Sequence, residues 1–186
     1  MLKEHLSNHG YHVRIFREPG GTPVSEQIRE ILLNSGEDIH PLAETLLFSA
    51  ARAQLVAAEI QPLLATGNVV ILDRFYDSTT AYQGYGRGVM PVYDIEKLNA
   101  LATSGLQPDI TFYLKIDPDK AYRRRRKNEV EDRMERSGRE FYLRVSEGFD
   151  KMAARMERMV TLDASQDPET IFHSLIAHLR HKLTRL

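Results

Sequence analysis

Apolar residues along the chain follow two patterns, short continuous runs and helical spacing. Val69–Leu72 is a run of four apolar residues, typical of a strand buried on both faces in a parallel sheet. Val24, Ile28, Ile31 and Leu32 instead recur on one side of a helix. The same reading predicts helices over Leu2–Asn8, Val24–Leu33, Leu42–Ala65 (bent near Pro62), Tyr93–Ala102, Glu140–Met159 and Pro168–Leu183, and strands over His12–Phe16, Asn68–Leu72, Asp109–Ile116 and Val160–Leu162.

Strands that alternate with helices indicate an α/β fold with a mainly parallel, doubly wound sheet. No linker, repeat or low-complexity tract interrupts the pattern, so we expect residues 1–186 to form a single domain. The three glycines of the segment that follows Val69–Leu72, at positions 84, 86 and 88, are interpreted as a flexible loop without chemistry of its own.

Composition narrows the class of protein. The chain has 25 Lys and Arg against 26 Asp and Glu, a formal charge of -1, which gives no general reason to bind nucleic acid or an anionic membrane. It has no cysteine, which excludes disulfides and thiolate chemistry. No apolar run approaches the roughly 18–20 residues of a membrane span. We therefore expect a cytoplasmic enzyme.

Two charged residues stand directly after the apolar run. Asp73 and Arg74 follow Leu72, and ligands of parallel sheets gather at the carboxyl ends of the strands. A carboxylate there can hold Mg²⁺ or a water, and a guanidinium can clamp a phosphate. The pair is interpreted as half of a phosphate-handling site, with a structural salt bridge as the alternative.

Five short motifs carry a family resemblance. Their order and approximate spacing resemble those of bacterial thymidylate kinases, and together they span essentially the whole chain: Arg17-Glu-Pro-Gly-Gly-Thr22, Leu47-Phe-Ser-Ala-Ala-Arg52, Asp73-Arg74, Tyr82-Gln-Gly84 and Asp132-Arg-Met-Glu135. The resemblance implies a P-loop nucleotide kinase fold, transfer of the γ-phosphoryl group of ATP to dTMP, a requirement for Mg²⁺, and a homodimer.

The resemblance also implies roles for the acceptor site. Arg17 and Arg74 would hold the acceptor phosphate, and Asp73 would orient that phosphate or a Mg²⁺-bound water. Phe48 would stack on the thymine ring, although helical spacing alone favours a core position for it, and Arg52 would hydrogen-bond a base carbonyl. The remaining residues of the nucleoside pocket would be Ser78, Thr79, Tyr82 and Gln83, with Tyr82 excluding a ribose 2′-hydroxyl by its bulk.

The run Arg123–Lys127 is the densest cluster of charge. A solvated helix face is one interpretation, and a nucleic-acid signal is disfavoured by the balanced net charge. The resemblance implies a third, a lid over residues 119–138 whose arginines neutralise the transferring phosphoryl group. Arg124 and Arg126 match lid arginines, while Asn128 stands where the family usually has another. This departure leaves open which side chain reaches the γ-phosphate, and Arg126 is the one that we expect.

The ATP-binding loop expected of such kinases does not occur in the sequence. No glycine is followed by lysine, so the Gly-x-x-x-x-Gly-Lys-Ser/Thr pattern is missing. We expect a strand and phosphate loop ahead of Met1, with Met1 assigned too far downstream. The alternative is a shortened relative, a nucleotide-binding and dimerising remnant. In either case the 186 residues alone are expected to be a poor catalyst. A kinase for another deoxynucleotide is a further alternative.

Overall fold

The computed structural model describes residues 1–34, 36, 38–117, 120 and 138–184. Its elements alternate as predicted. The helices are α1 Leu2–Asn8, α2 Pro23–Asn34, α3 Pro41–Leu55, α4 Gln61–Ala65, α5 Tyr76–Thr79, α6 Val92–Ala102, α7 Gly138–Arg155 and α8 Pro168–Leu179. The strands are β1 Val13–Arg17, β2 Val69–Asp73, β3 Thr111–Lys115 and β4 Met159–Asp163, and two π-helices cover Val56–Ile60 and Thr80–Gly86.

Both strand pairings among the described residues are parallel, which confirms the predicted α/β class. β1 pairs with β2, placing Val13 opposite Val69 and Arg17 opposite Asp73. β3 pairs with β4 in a second two-stranded sheet. Within the described ranges, β2 and β3 are not hydrogen-bonded to each other or to a shared strand.

The prediction that β2 is buried on both faces is wrong. Its apolar residues, Val69–Leu72, are only half-buried. An apolar run shows which side chains a strand carries, but their burial depends on the strands and helices that surround it. In the part of the chain that is described, β2 has one neighbouring strand, β1.

Each sheet has its own apolar core. Beside the first sheet, Phe16 packs with Leu55, Val56, Ile60 and Phe75. The second core joins α7 and the Thr80–Gly86 helix to β3 and β4, through Ala81, Tyr113, Phe141, Val145, Met152 and Met159. The segment interpreted as a flexible glycine loop is therefore helical and packed, and that interpretation is wrong for Gly84 and Gly86, which are both buried.

A polar tie connects the two sheets. Asp77, on the helix that follows β2, accepts hydrogen bonds of 2.7 Å from both terminal nitrogens of Arg158, which lies just ahead of β4. Thr111 at the start of β3 donates to the same carboxylate at 3.1 Å. The carboxylate is buried and its partners come from the other sheet, so this cluster fixes the orientation of α5 relative to β3 and β4.

The long helix predicted over Leu42–Ala65 is present but not uniform. It runs as α3, then widens into the π-helix Val56–Ile60, and resumes as α4. The irregularity thus lies ahead of Pro62, the residue at which a bend was expected. Proline lacks the N–H that would continue α-helical bonding to the preceding turn, which accounts for a break at this place.

Candidate functional site

A cavity of about 240 Å³ opens at the carboxyl ends of β1 and β2. The parallel register places Arg17 and Asp73 side by side at this edge. All the predicted site residues that the structure describes line the cavity: Arg17, Phe48, Arg52, Asp73, Arg74, Ser78, Thr79, Tyr82 and Gln83. Residues far apart in sequence are thus brought to one place. Arg124 and Arg126, with most of the 119–138 segment, lie outside the described residues.

Arg52 is held rigidly at the floor of the cavity. Its Nε and Nη2 atoms donate to the same oxygen of Glu18 at 2.9 and 2.7 Å, and both side chains are almost fully buried. Nη2 also donates to Thr79 at 3.0 Å, and Nη1 donates to Asn99 at 3.4 Å. A guanidinium has five N–H donors in a fixed plane, so these contacts determine where the remaining Nη1 hydrogen points.

Glu18 was not predicted as a site residue, yet it is the partner that orients Arg52. Its second oxygen, Oε1, is buried and has no hydrogen-bond partner in the described part of the chain. Burial raises the pKa of Glu18, and the charge of Arg52 opposes that rise. The residue lies inside the Arg17–Thr22 motif, and its acid type was the only signal available in the sequence.

Phe48 lies one helical turn before Arg52 on α3, so the two side chains share a face of the helix. Helical spacing favoured a core position for Phe48. It is instead half-buried, belongs to neither apolar core, and lines the cavity. A flat apolar ring is therefore presented beside a fixed guanidinium.

Gln83 reaches the cavity from the Thr80–Gly86 helix. Its amide nitrogen donates to Oε1 of Glu44 at 2.9 Å, and Arg87 donates to the same carboxylate at 2.8 and 3.3 Å. Glu44 is completely buried on α3. Like Glu18, Glu44 was not predicted, and its partners lie 39 and 43 residues away in the sequence.

The rim of the cavity is cationic. Arg17 forms an exposed ion pair with Glu26 at 3.0 Å, and Arg29 donates to the carbonyl of Pro19 at 2.9 Å. Arg74 has a backbone φ of 69°, a left-handed conformation that is uncommon for a non-glycine residue. Its guanidinium lies 5.2 Å from the ring centre of Tyr82. These arginines give the mouth of the cavity the charge that suits a phosphate.

Gly21 in the Arg17–Thr22 motif serves packing as well as a turn. Its φ is +90°, and a Cβ there would meet Leu55 at 2.7 Å. Its N–H donates to Glu26 at 2.9 Å, and this bond, with the charge of Arg17, lowers the pKa of Glu26. The loop is therefore fixed against the first core on one side and carries Arg17 and Glu18 on the other.

The described residues contain neither a metal-binding cluster nor a membrane-spanning helix. No three histidine, aspartate or glutamate side chains lie close enough together there to bind a metal ion by themselves. None of the helices in those ranges combines the length and the apolar character needed to cross a membrane.

Comparison with known proteins agrees with the geometry. A family model described as thymidylate kinase matches residues 1–176. A thymidylate kinase of Chlorobaculum parvum is 47% identical, over 96% of this chain and 87% of the relative. The thymidylate kinases of Prosthecochloris aestuarii and a Thermoanaerobacter species are 46% and 41% identical, each over 94% of this chain and over 82% and 86% of their own lengths. The chain belongs to the thymidylate kinase family.

Proposed function

We propose that this protein transfers the γ-phosphoryl group of ATP to dTMP, giving dTDP and ADP. The observation that carries the proposal is that a half-buried aromatic ring, a fixed buried arginine and a rim of arginines line the same cavity. That combination suits a flat base at one end and a phosphate at the other. Membership of the thymidylate kinase family supports the same substrates. The proposal includes the fold that the sequence resemblance implies, a doubly wound sheet of the P-loop nucleotide kinase type.

The base would lie between Phe48 and the floor of the cavity. Stacking of a base on an aromatic side chain contributes about 1–3 kcal/mol. Arg52, oriented by Glu18, supplies a directed hydrogen-bond donor to a base carbonyl. Tyr82 is half-buried at the wall, and its bulk favours a deoxyribose over a ribose.

The acceptor phosphate would lie at the rim, held by Arg17 and Arg74. Arg17 must then exchange Glu26 for the phosphate. Both partners of that ion pair are about half-exposed, with side-chain exposures of 55% and 45%, and such pairs contribute only about 0–1 kcal/mol. The exchange therefore costs little.

Phosphoryl transfer requires alignment and neutralisation of charge more than covalent catalysis. Asp73, at the end of β2, would orient the acceptor phosphate and could hold Mg²⁺ through a water. A single carboxylate is compatible with Mg²⁺ binding, because Mg²⁺ usually keeps several waters and takes its other ligands from substrate phosphates. When bound, the ion supplies positive charge at those phosphates. Arg124 and Arg126 would close over the donor.

The proposal is tested by calorimetric titration of dTMP, dUMP, UMP and dCMP, and by a coupled ADP-release assay with each acceptor. We expect dTMP to bind best and to be the preferred acceptor. A preference for UMP would contradict the role of Tyr82, and failure to bind any of the four nucleotides would refute the acceptor site. Binding of dTMP without turnover would support the remnant alternative.

A homodimer is part of the proposal. Large apolar side chains are exposed on α2, α3 and α6, which pack against one another with α3 in contact with both neighbours. They are Val24, Ile31, Leu42, Leu46, Tyr93 and Leu101. Burial of such a face between two copies would remove it from water. Analytical ultracentrifugation of the unmodified chain and of Leu46→Glu tests this, since a charge in the interface should give a monomer.

A further inference from the structure

Glu44 stands on the same face of α3 as Phe48 and Arg52, at successive intervals of four residues. It is fully buried, although an acid is expensive to bury without partners. The proposed function uses Phe48 and Arg52 directly but leaves Glu44 without a role. Its contacts supply one.

Glu44 determines which way the amide of Gln83 faces. A carboxylate that is paired with the guanidinium of Arg87 accepts hydrogen bonds and offers none. Gln83 must therefore turn its NH₂ group toward Glu44, as the 2.9 Å bond shows. The carbonyl oxygen of the planar amide then faces away from Glu44. No described residue donates a hydrogen bond to that oxygen, and Gln83 lines the cavity.

The cavity thus presents one fixed donor and one fixed acceptor. The donor is the Nη1 hydrogen of Arg52 that remains after Glu18, Thr79 and Asn99 have taken the others. The acceptor is the amide oxygen of Gln83. Each is oriented by a buried glutamate that lies behind it.

We propose that Glu44 is the positioning residue through which the site distinguishes thymine and uracil from cytosine. This inference rests on the proposed function. Thymine and uracil carry an acceptor at O4 beside a donor at N3, which matches the pair in the cavity. Cytosine carries a donor at N4 beside an acceptor at N3. Gln83 could suit cytosine only by reversing its amide, which would turn its oxygen against the carboxylate of Glu44.

The test is calorimetric titration of dTMP, dUMP and dCMP into the unmodified chain and into Glu44→Gln. A glutamine at position 44 keeps the shape of the side chain but can donate as well as accept, so Gln83 is free to reverse. We expect the preference for dTMP over dCMP to fall about tenfold, the value of one exchanged hydrogen bond. The ratio of dTMP to dUMP should not change, because these two bases share the same hydrogen-bonding edge.

Two controls separate positioning from folding. Glu147→Gln makes the same chemical change in an exposed ion pair with Lys151 and should leave both ratios unchanged. Because Glu44→Gln removes the carboxylate that faces Arg87, the double variant Glu44→Gln/Arg87→Met removes both charges together. It should show the same tenfold loss. Each ratio compares two ligands on one preparation, so a fraction of unfolded protein does not alter it.

The outcomes distinguish this inference from the proposed function. If the unmodified chain prefers dTMP and both Glu44 variants keep the full preference over dCMP, the role of Glu44 is refuted while the acceptor site stands. If the preference for dUMP changes together with that for dCMP, the effect is a general loss of structure, and the role is again refuted. If the unmodified chain binds none of the nucleotides, the proposed function fails as well.

Discussion

Replacement of Asp77 by asparagine should strongly destabilise the fold although Asp77 is not part of the cavity. The carboxylate receives two bonds of 2.7 Å from Arg158 and one of 3.1 Å from Thr111. Asparagine keeps one acceptor oxygen and replaces the other by an NH₂ group, which would face an N–H of Arg158. One charge-assisted bond is lost, and the guanidinium loses its counter-charge.

The magnitude follows from burial. Removing one partner of a buried ion pair costs about 3–5 kcal/mol. The side chain of Arg158 is 16% exposed, so water would solvate part of its charge and the lower end applies. We therefore expect a loss of about 3 kcal/mol, a large part of the roughly 5–15 kcal/mol by which domains are stable. With a urea dependence of about 1–3 kcal/mol per molar, the midpoint should fall by about 1–3 M.

Urea unfolding followed by circular dichroism measures this shift. The matched control is Asp150→Asn, the same chemical change in the ion pair with Lys115, whose partners are 42% and 47% exposed. Its midpoint should equal that of the unmodified chain. Equal midpoints for Asp77→Asn and Asp150→Asn would show that the cluster does not hold the two sheets together, and the reasoning from burial would be refuted.

Three further predictions concern the cavity. Phe48→Ala should weaken dTMP binding about 5- to 150-fold in calorimetry through loss of about 1–3 kcal/mol of stacking. Phe48→Tyr keeps the ring and should bind like the unmodified chain, and unchanged affinity in the alanine variant would contradict the stacking role. Arg74→Ala should remove most of the advantage of dTMP over thymidine, and an equal loss for both ligands would argue against a phosphate contact. Because burial raises the pKa of Glu18, its contribution to stability is complete below the ordinary carboxyl pKa and is lost as pH rises through the raised value. As pH rises from the ordinary carboxyl pKa through the raised pKa of Glu18, the unfolding free energy of the unmodified chain should therefore fall relative to that of Glu18→Gln. Urea titrations at a series of pH values measure this difference, and a constant difference would show that the pKa of Glu18 is not raised by folding.

The edge of the sheet where the cavity lies could be predicted because parallel strands end together. Arg17 and Asp73 each follow an apolar strand in the sequence, and the register places them opposite each other. Phe48 and Arg52 could be placed on one helix face from their spacing of four residues. Spacing could not decide whether Phe48 faced a core or a ligand, since an apolar ring packs equally well in a core and against the flat face of a base.

The two buried glutamates could not be predicted for a different reason. Glu44 resembles an ordinary acid in the first turn of a helix, where its negative charge would interact favourably with the helix dipole. Its partners come from a segment about 40 residues away, and no local pattern reports such a contact. Glu18 lies within the Arg17–Thr22 motif, in which only Arg17 was predicted to contact the substrate.

The glycines of the segment after β2 misled the prediction because glycine has two uses. Gly86 was attributed to backbone freedom, but a Cβ at this position would meet Phe141 at 2.7 Å. The residue is small so that α7 can approach the Thr80–Gly86 helix. Sequence shows where a side chain is missing, and only the packing shows what occupies the space.

The π-helix Thr80–Gly86 limits how this protein can vary by insertion and deletion. A π-helical turn arises where an α-helix holds one extra residue. Deleting a residue upstream of Gln83 within the turn would restore the α-helix and rotate the following side chains by about 100°, one residue in 3.6 per turn. Gln83 would then leave both Glu44 and the cavity. We expect related chains to vary in length at surface turns but to keep the residue count of this segment unchanged.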